Sequence, residues 1–480
     1  MRTVVSRLSA RAWFLAVLLA HVMLGPACTM AADPAPLSDA EIARRELNAK
    51  FDKMNLRQKN EFVVDRSGDF LKPPDAEIAG EFSVARVPPT VEFRILPNLE
   101  PEYFSEEAYQ AGWANWAYVA RSADNRFYFA ASDHLGRGAQ INLYEYRPQE
   151  DVVERVLDVS KMLGWTADMY TDGKLHGYMG IMPNGDLWTA THCGPIPTEK
   201  WLEEGYRGSW LFSFNINTRE AHNWGVPLVV NTLDCHTVDT QRGIFFGTGF
   251  YSKMMLSWDI NEKKVRFAGY PPNGWHWSPR SILLDPQTGH FWGGEVSEKP
   301  NRFISFDPEL NRFKRHEVAT PANPLTDEQA ILRGHTHHPD ADGWYYWATL
   351  NGAFFRFRPH WEEGPEVEPL GVTWDKGRDV SQIAIEPARR YLYYQPKGDN
   401  SPLVQYDLKT GNKKAIAFLQ EYFFEKYGYW PSSAVYGMEV SNDGSFVVIV
   451  ENGTFAGRGQ AFGHPALTVI MIPEEERPLD

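Results

Sequence analysis

From about Glu81 onward the chain is written in short runs of alternating apolar and polar residues, rich in aromatics and broken by tight turn signals. One unit recurs seven times: a run, a turn and an aromatic second run. Asp124-Asn125-Arg126 precedes Phe127-Tyr128-Phe129, Asn184-Gly185-Asp186 precedes Leu187-Trp188-Thr189, and Gln241-Arg242-Gly243 precedes Ile244-Phe245-Phe246. Asp285 to Gly289 precedes Phe291-Trp292-Gly293, and Asp342-Gly343 precedes Trp344-Tyr345-Tyr346. Pro387-Ala388-Arg389 precedes Tyr391-Leu392-Tyr393, and Asp443-Gly444 precedes Phe446-Val447-Val448. Third runs such as Leu211-Phe212-Ser213-Phe214-Asn215 and Phe303-Ile304-Ser305-Phe306-Asp307 follow at regular distance. Seven units at spacings of roughly 45–60 residues predict an all-β, seven-bladed β-propeller over residues 81–480, with six or eight blades as the alternatives that unequal loops leave open. Residues 90–96 are the expected outer strand that closes the last blade.

The first 80 residues do not follow this pattern. Residues 33–80 form a polar lead-in, in which Ser38 and Glu41 resemble a capping box and residues 40–55 carry charges at helical spacing, so one short helix is expected. Before it, Arg2, Arg7 and Arg11 precede an apolar run from Trp13 to about Leu24, followed by small residues up to Ala31-Ala32. That order predicts a signal peptide over residues 1–32 and a secreted or periplasmic protein, with lipidation at Cys28 as the lesser alternative. No other run is long and apolar enough to span a bilayer. Without residues 1–32 the chain keeps 45 Lys+Arg against 62 Asp+Glu, a net charge of −17 that disfavours general nucleic-acid binding. A monomer is expected. Cys193 and Cys235 remain, and whether they pair is open at this level.

Candidate chemistry lies in the histidines. Six of 14, His176, His236, His276, His335, His337 and His338, stand just before inner turns, where the innermost strands of a propeller line its axis. One reading is a metal site: period-two imidazoles in Gly334-His335-Thr336-His337, with Cys235 and His236 from another blade, supply N and S donors. A second is acid–base and anion chemistry. His176 begins one inner strand and His192 ends the next, so an antiparallel pair turning at Asn184-Gly185 returns both to one end.

Lys174-Leu175-His176-Gly177, the run from Gly185 to His192, and Gly249-Phe250-Tyr251 resemble blade motifs of secreted propeller polysaccharide lyases, the ulvan lyases above all, over roughly residues 110–350. The resemblance implies β-elimination on a uronic-acid-containing acidic polysaccharide. It implies that His176 and His192 hold the uronate, Tyr251 transfers the proton and Arg266 neutralises the carboxylate. It also implies a structural zinc, with manganese or calcium as alternatives, held among Cys235, His236, His276, His335 and His337. Oligogalacturonate lyase is a more distant likeness, in which Gln382 would correspond to a metal-site glutamine. These residue types suit the reaction: a cation beside the carboxylate stabilises the charge that develops when the C5 proton leaves, and a phenol near a cation can move that proton. A metal-dependent hydrolase or lactonase and a non-catalytic binding propeller are the rival readings on the same fold.

Overall fold

The computed structural model describes residues 62–74, 77–97, 99, 113–250, 252–431, 434–455 and 457–477. The expected signal peptide, Cys28 and the helix over residues 40–55 lie outside them. Seven antiparallel sheets follow one another along the chain, over residues 120–158, 174–225, 233–269, 283–319, 332–372, 384–417 and 437–471. The fold is the expected seven-bladed β-propeller. The last sheet takes three strands from the C-terminal part, Gly437–Val440, Phe446–Glu451 and Ala466–Met471, and a fourth, Thr90–Ile95, from the N-terminal part. Thr90 pairs with Met471 and Ile95 with Ala466, which closes the ring and removes an unpaired edge. Two shorter strands add to the outside: Val63–Asp65 beside Thr90–Ile95, and Ser83–Val84 parallel to blade six.

Local chemistry explains why the unit repeats. An Asn or Asp ends several third strands and accepts from two backbone N–H groups of the turn that follows, which fixes where the strand stops. Asn215 takes the N–H groups of Asn217 and Thr218 at 3.0 and 2.9 Å, Asp259 those of Asn261 and Glu262 at 2.9 Å each, and Asp307 and Asp407 repeat the pattern. Gly185 turns the blade-two hairpin with φ 88°, a conformation that favours glycine, and an added Cβ would stand 2.5 Å from Asn217 Nδ2.

The aromatics that dominate the sequence fill the layers between blades. Phe246 of blade three stacks on Phe291 and Phe306 of blade four at 4.6 and 4.7 Å, and Trp188, Trp292 and Trp347 are fully buried. Each such side chain contributes about 2–3 kcal/mol through removal from water, so the inter-blade layers carry most of the stability. Among the described residues no helix is long and apolar enough to cross a membrane.

Candidate active site

In each blade the innermost strand starts at the same end of the axis, and the second strand returns there. Blade two illustrates this: His192 pairs with Lys174, and Thr191 with Leu175. The His176 and His192 rings lie 5.2 Å apart, centroid to centroid. Every blade places a polar or aromatic side chain near the start of its inner strand: Trp116, His176, Asp234, Arg280, Arg333, Asp379 and Tyr436. Contacts chain them together. Tyr436 faces Trp116 at 4.7 Å and His176 at 6.4 Å, and it lies under Lys397 Nζ at 3.7 Å and the Arg333 guanidinium at 5.4 Å. Asp379 pairs with Lys397 at 2.9 Å and Arg333 at 3.2 Å. Lys174 Nζ reaches His134 Nε2 at 2.9 Å and caps the Trp116 ring at 4.7 Å.

Hydrogen bonds fix the two histidines. Arg280 Nη1 donates to His176 Nε2 at 3.1 Å. A guanidinium only donates, so Nε2 carries the lone pair and Nδ1 the proton, and Nδ1 is buried without a partner. His192 Nδ1 meets Thr232 Oγ1 at 2.7 Å, and its Nε2 faces Asp234 Oδ1 at 3.3 Å. Thr232 is itself held by the Cys193 backbone N–H at 2.7 Å. Asp234 is 1% exposed and neither of its oxygens has a hydrogen-bond partner; Arg280 Nε stands 3.8 Å away.

The electrostatics follow from burial. Loss of water, then Arg280, holds His176 well below the usual imidazole range; loss of water, then Lys174 and Arg280, does the same to His192. Both are neutral at physiological pH. Burial brings Lys174 down to about 8, and burial with Arg333 nearby brings Lys397 down to about 7. Burial pushes Asp379 upward, but Arg333 and Lys397 outweigh it and hold the carboxyl below its ordinary value.

The expected residues divide sharply by place. His176 and His192 come together. Tyr251 lies outside the described residues. Arg266 does not join them: it sits on the outermost strand of blade three, Lys264–Gly269, with Nη1 3.6 Å from Asp259 Oδ2. The guanidinium beside His176 is that of Arg280. The five expected metal donors stand apart in their bonding. His236 Nε2 meets Thr189 Oγ1 at 3.0 Å and its ring stacks on Phe245. His276 stands against Lys253 Nζ at 3.0 Å. The ring nitrogens of His335 face the carbonyls of Ile282 and Thr336 at 3.1 and 3.3 Å, and His337 packs on Tyr178 at 4.1 Å. Burial raises the Cys235 thiol to about 12. Among the described residues no three His, Cys, Asp or Glu side chains are grouped to hold a metal. Gln382 is a staple between blades, accepting from Val119 and Met438 N–H at 3.2 and 3.0 Å. Cys193 and Cys235 are free thiols.

Sequence reasoning passed over Lys174 as a site residue, and Asp234, Arg280, Arg333, Asp379, Lys397 and Tyr436 altogether. Their signal was position: most stand within a few residues of an inner-strand start, as the histidines do.

No family model matches the sequence, and no curated protein matches it. Among solved structures, the chain is similar to hydrazine synthase of Kuenenia stuttgartiensis, at 12% identity and TM-score 0.46 over 72% of this chain and 96% of that one. It is also similar to a chain of a nidogen/laminin complex, at 10% identity and TM-score 0.37 over 58% of this chain and 89% of that one.

Proposed function

We propose that the protein is a polysaccharide lyase that cleaves a uronic-acid-containing, ulvan-like glycan by β-elimination, as an exported monomer. One observation carries the reading: two buried neutral imidazoles stand 5.2 Å apart, with a guanidinium 3.1 Å from one of them. Around them Lys174, Arg280 and Arg333, with Lys397 partly charged at neutral pH, outnumber Asp234 and Asp379, on a chain whose net charge is −14. Such a local reversal of sign suits a carboxylate ligand. Arg280, whose side chain is 32% exposed, takes the part expected of Arg266: a fork for the uronate carboxylate.

The chemistry needs no water nucleophile. The C5 proton leaves to a base, its electron pair forms the C4–C5 double bond, the C4–O4 bond breaks, and O4 takes a proton. Guanidinium and imidazole N–H groups at the carboxylate stabilise the charge that builds on it. A phenol serves the proton transfer; Tyr251 is the candidate from the resemblance, and Tyr436, 6.4 Å from His176 ring to ring, is the second.

The test is a panel of acidic polysaccharides, among them pectate, alginate and a glucuronate-bearing algal glycan, followed by ultraviolet absorbance. A new absorbance from the unsaturated product supports the reading. Depolymerisation without that absorbance would favour a hydrolase, and no turnover with retained binding would favour a binding propeller.

A further inference from the structure

Three observations meet at Arg280. First, the residues beneath it are shut off: His176 and His192 are each 3% exposed and Asp234 1%, whereas the Arg280 side chain is 32% exposed. Of these groups the guanidinium is the one that solvent reaches. Second, the lone pair of His176 is already in use, because Nε2 accepts from Arg280 Nη1 at 3.1 Å. Third, the Arg280 backbone has φ 85°, an uncommon conformation for a residue with a Cβ, and it follows Pro279. Such outliers cluster where function over-determines the local structure.

We propose that Arg280 is a displaceable cap, which the substrate's carboxylate draws off His176, so that the base is uncovered only when an anion is in place. This rests on the lyase reading and adds the order of events to it. The guanidinium forms only a single bond to His176 and stands 3.8 Å from Asp234, while a carboxylate offers it a bidentate, charge-assisted pairing. Once it turns to the substrate, His176 keeps its proton on Nδ1 and presents the Nε2 lone pair. The C5 proton passes to Nε2, the C5–H electron pair becomes the C4–C5 double bond, the C4–O4 bond breaks, and O4 takes the phenol's proton. The imidazolium returns its proton to the phenolate through solvent. Asp234, buried and 3.8 Å from Arg280 Nε in the resting protein, draws the guanidinium back after product leaves.

The cap is tested in the resting protein, without substrate. Diethyl pyrocarbonate modifies accessible neutral imidazoles, and peptide mass spectrometry reads each histidine separately. In wild type His176 should react slowly; in Arg280→Gln it should react about tenfold faster or more, as expected when a state populated a tenth of the time or less becomes the resting state. Exposed His222 is the internal reference, and Arg280→Lys, which keeps a donor, should stay near wild type. In 15N-histidine-labelled wild type, adding glucuronate should shift the Nε2 resonance of His176, assigned with His176→Gln, and sodium chloride should not. Equal His176 reactivity in wild type and a folded Arg280→Gln variant overturns the cap, as does an Nε2 signal indifferent to glucuronate. Both readouts are independent of turnover. A protein with a working cap and no unsaturated product on any glycan would overturn the lyase reading and leave the cap standing.

Discussion

Two sets of histidines lie along the same axis, and their neighbours make them different groups. His176 and His192 are joined by charge: Arg280, Asp234 and Lys174 surround them, and the Thr232 hydroxyl meets one ring nitrogen. His335 and His337 are joined by rings, 5.0 Å apart: His335 packs on Trp347 and faces two backbone carbonyls, and His337 packs on Tyr178. Burial lowers the basicity of all four. Only the first pair has a partly exposed guanidinium against it and a buried carboxylate beside it. The imidazole is the same; the partners decide whether it can receive a ligand's charge or only fill space.

The comparison breaks most visibly at Arg280. On a confirmed substrate, Arg280→Met should lower kcat/KM by about a thousandfold, because a charged fork to the carboxylate is lost where the transition state needs it most. His337→Gln, made in the second set, should change it by less than about threefold; a large loss there would erase the distinction. Next come the phenols. Tyr251→Phe and Tyr436→Phe, each checked for fold, are compared by steady-state kinetics. The residue that moves the proton should lose about a hundredfold in kcat with KM little changed, and the other should lose far less.

Stability against pH reports what the two sets share, which is burial. For His335 burial lowers the folded pKa to about 4 from an ordinary 6.5. A depressed pKa means that its contribution is present above about 6.5 and is lost as pH falls towards 4, up to about 3 kcal/mol for this group. His335→Gln should therefore flatten the acid limb of a Tm-versus-pH curve. Glu451 has the opposite sign: burial raises it to about 8 from 4.5, and neither carboxyl oxygen has a hydrogen-bond partner. Its contribution is present below about 4.5 and is lost as pH rises through 8, so Glu451→Gln should raise Tm at pH 9 more than at pH 5. The smallest expected effect is that of a chelator. Dialysis against one should leave Tm within about 1 °C, and stoichiometric zinc in the purified protein would contradict the scattered bonding of His236, His276, His335 and His337.

The blades were legible because period-two aromatics and Asp/Asn turn signals are local, and each is enough to place a strand end. The closing strand was legible too, since residues 90–96 alternate as a strand with no hairpin partner nearby. The pairing of His176 with His192 needed only one hairpin, so it could be read as well. The rest of the pocket could not. A single Lys, Arg or Asp before a strand, such as Arg333 or Asp379, is in sequence indistinguishable from a solvated loop residue. Convergence depends on seven blades being folded around one axis, and no window of sequence holds that information. Arg266 was chosen by its order after Tyr251, but its strand is the outermost of blade three, and order along the chain says nothing of distance from the axis.

The pairing of Thr90 with Met471 has a consequence for how this chain is made. The strand that completes the ring is made before the first blade, and its partner Ala466–Met471 after the other strands of the last. Until then the incomplete ring has two free edges, and closure must bring together segments far apart in the chain. Contacts of that order form slowly, and open edges invite pairing with other chains. Removal of the final strand, Ala466–Met471, should therefore not give a smaller, looser propeller; it should give a chain that stays with chaperones or aggregates.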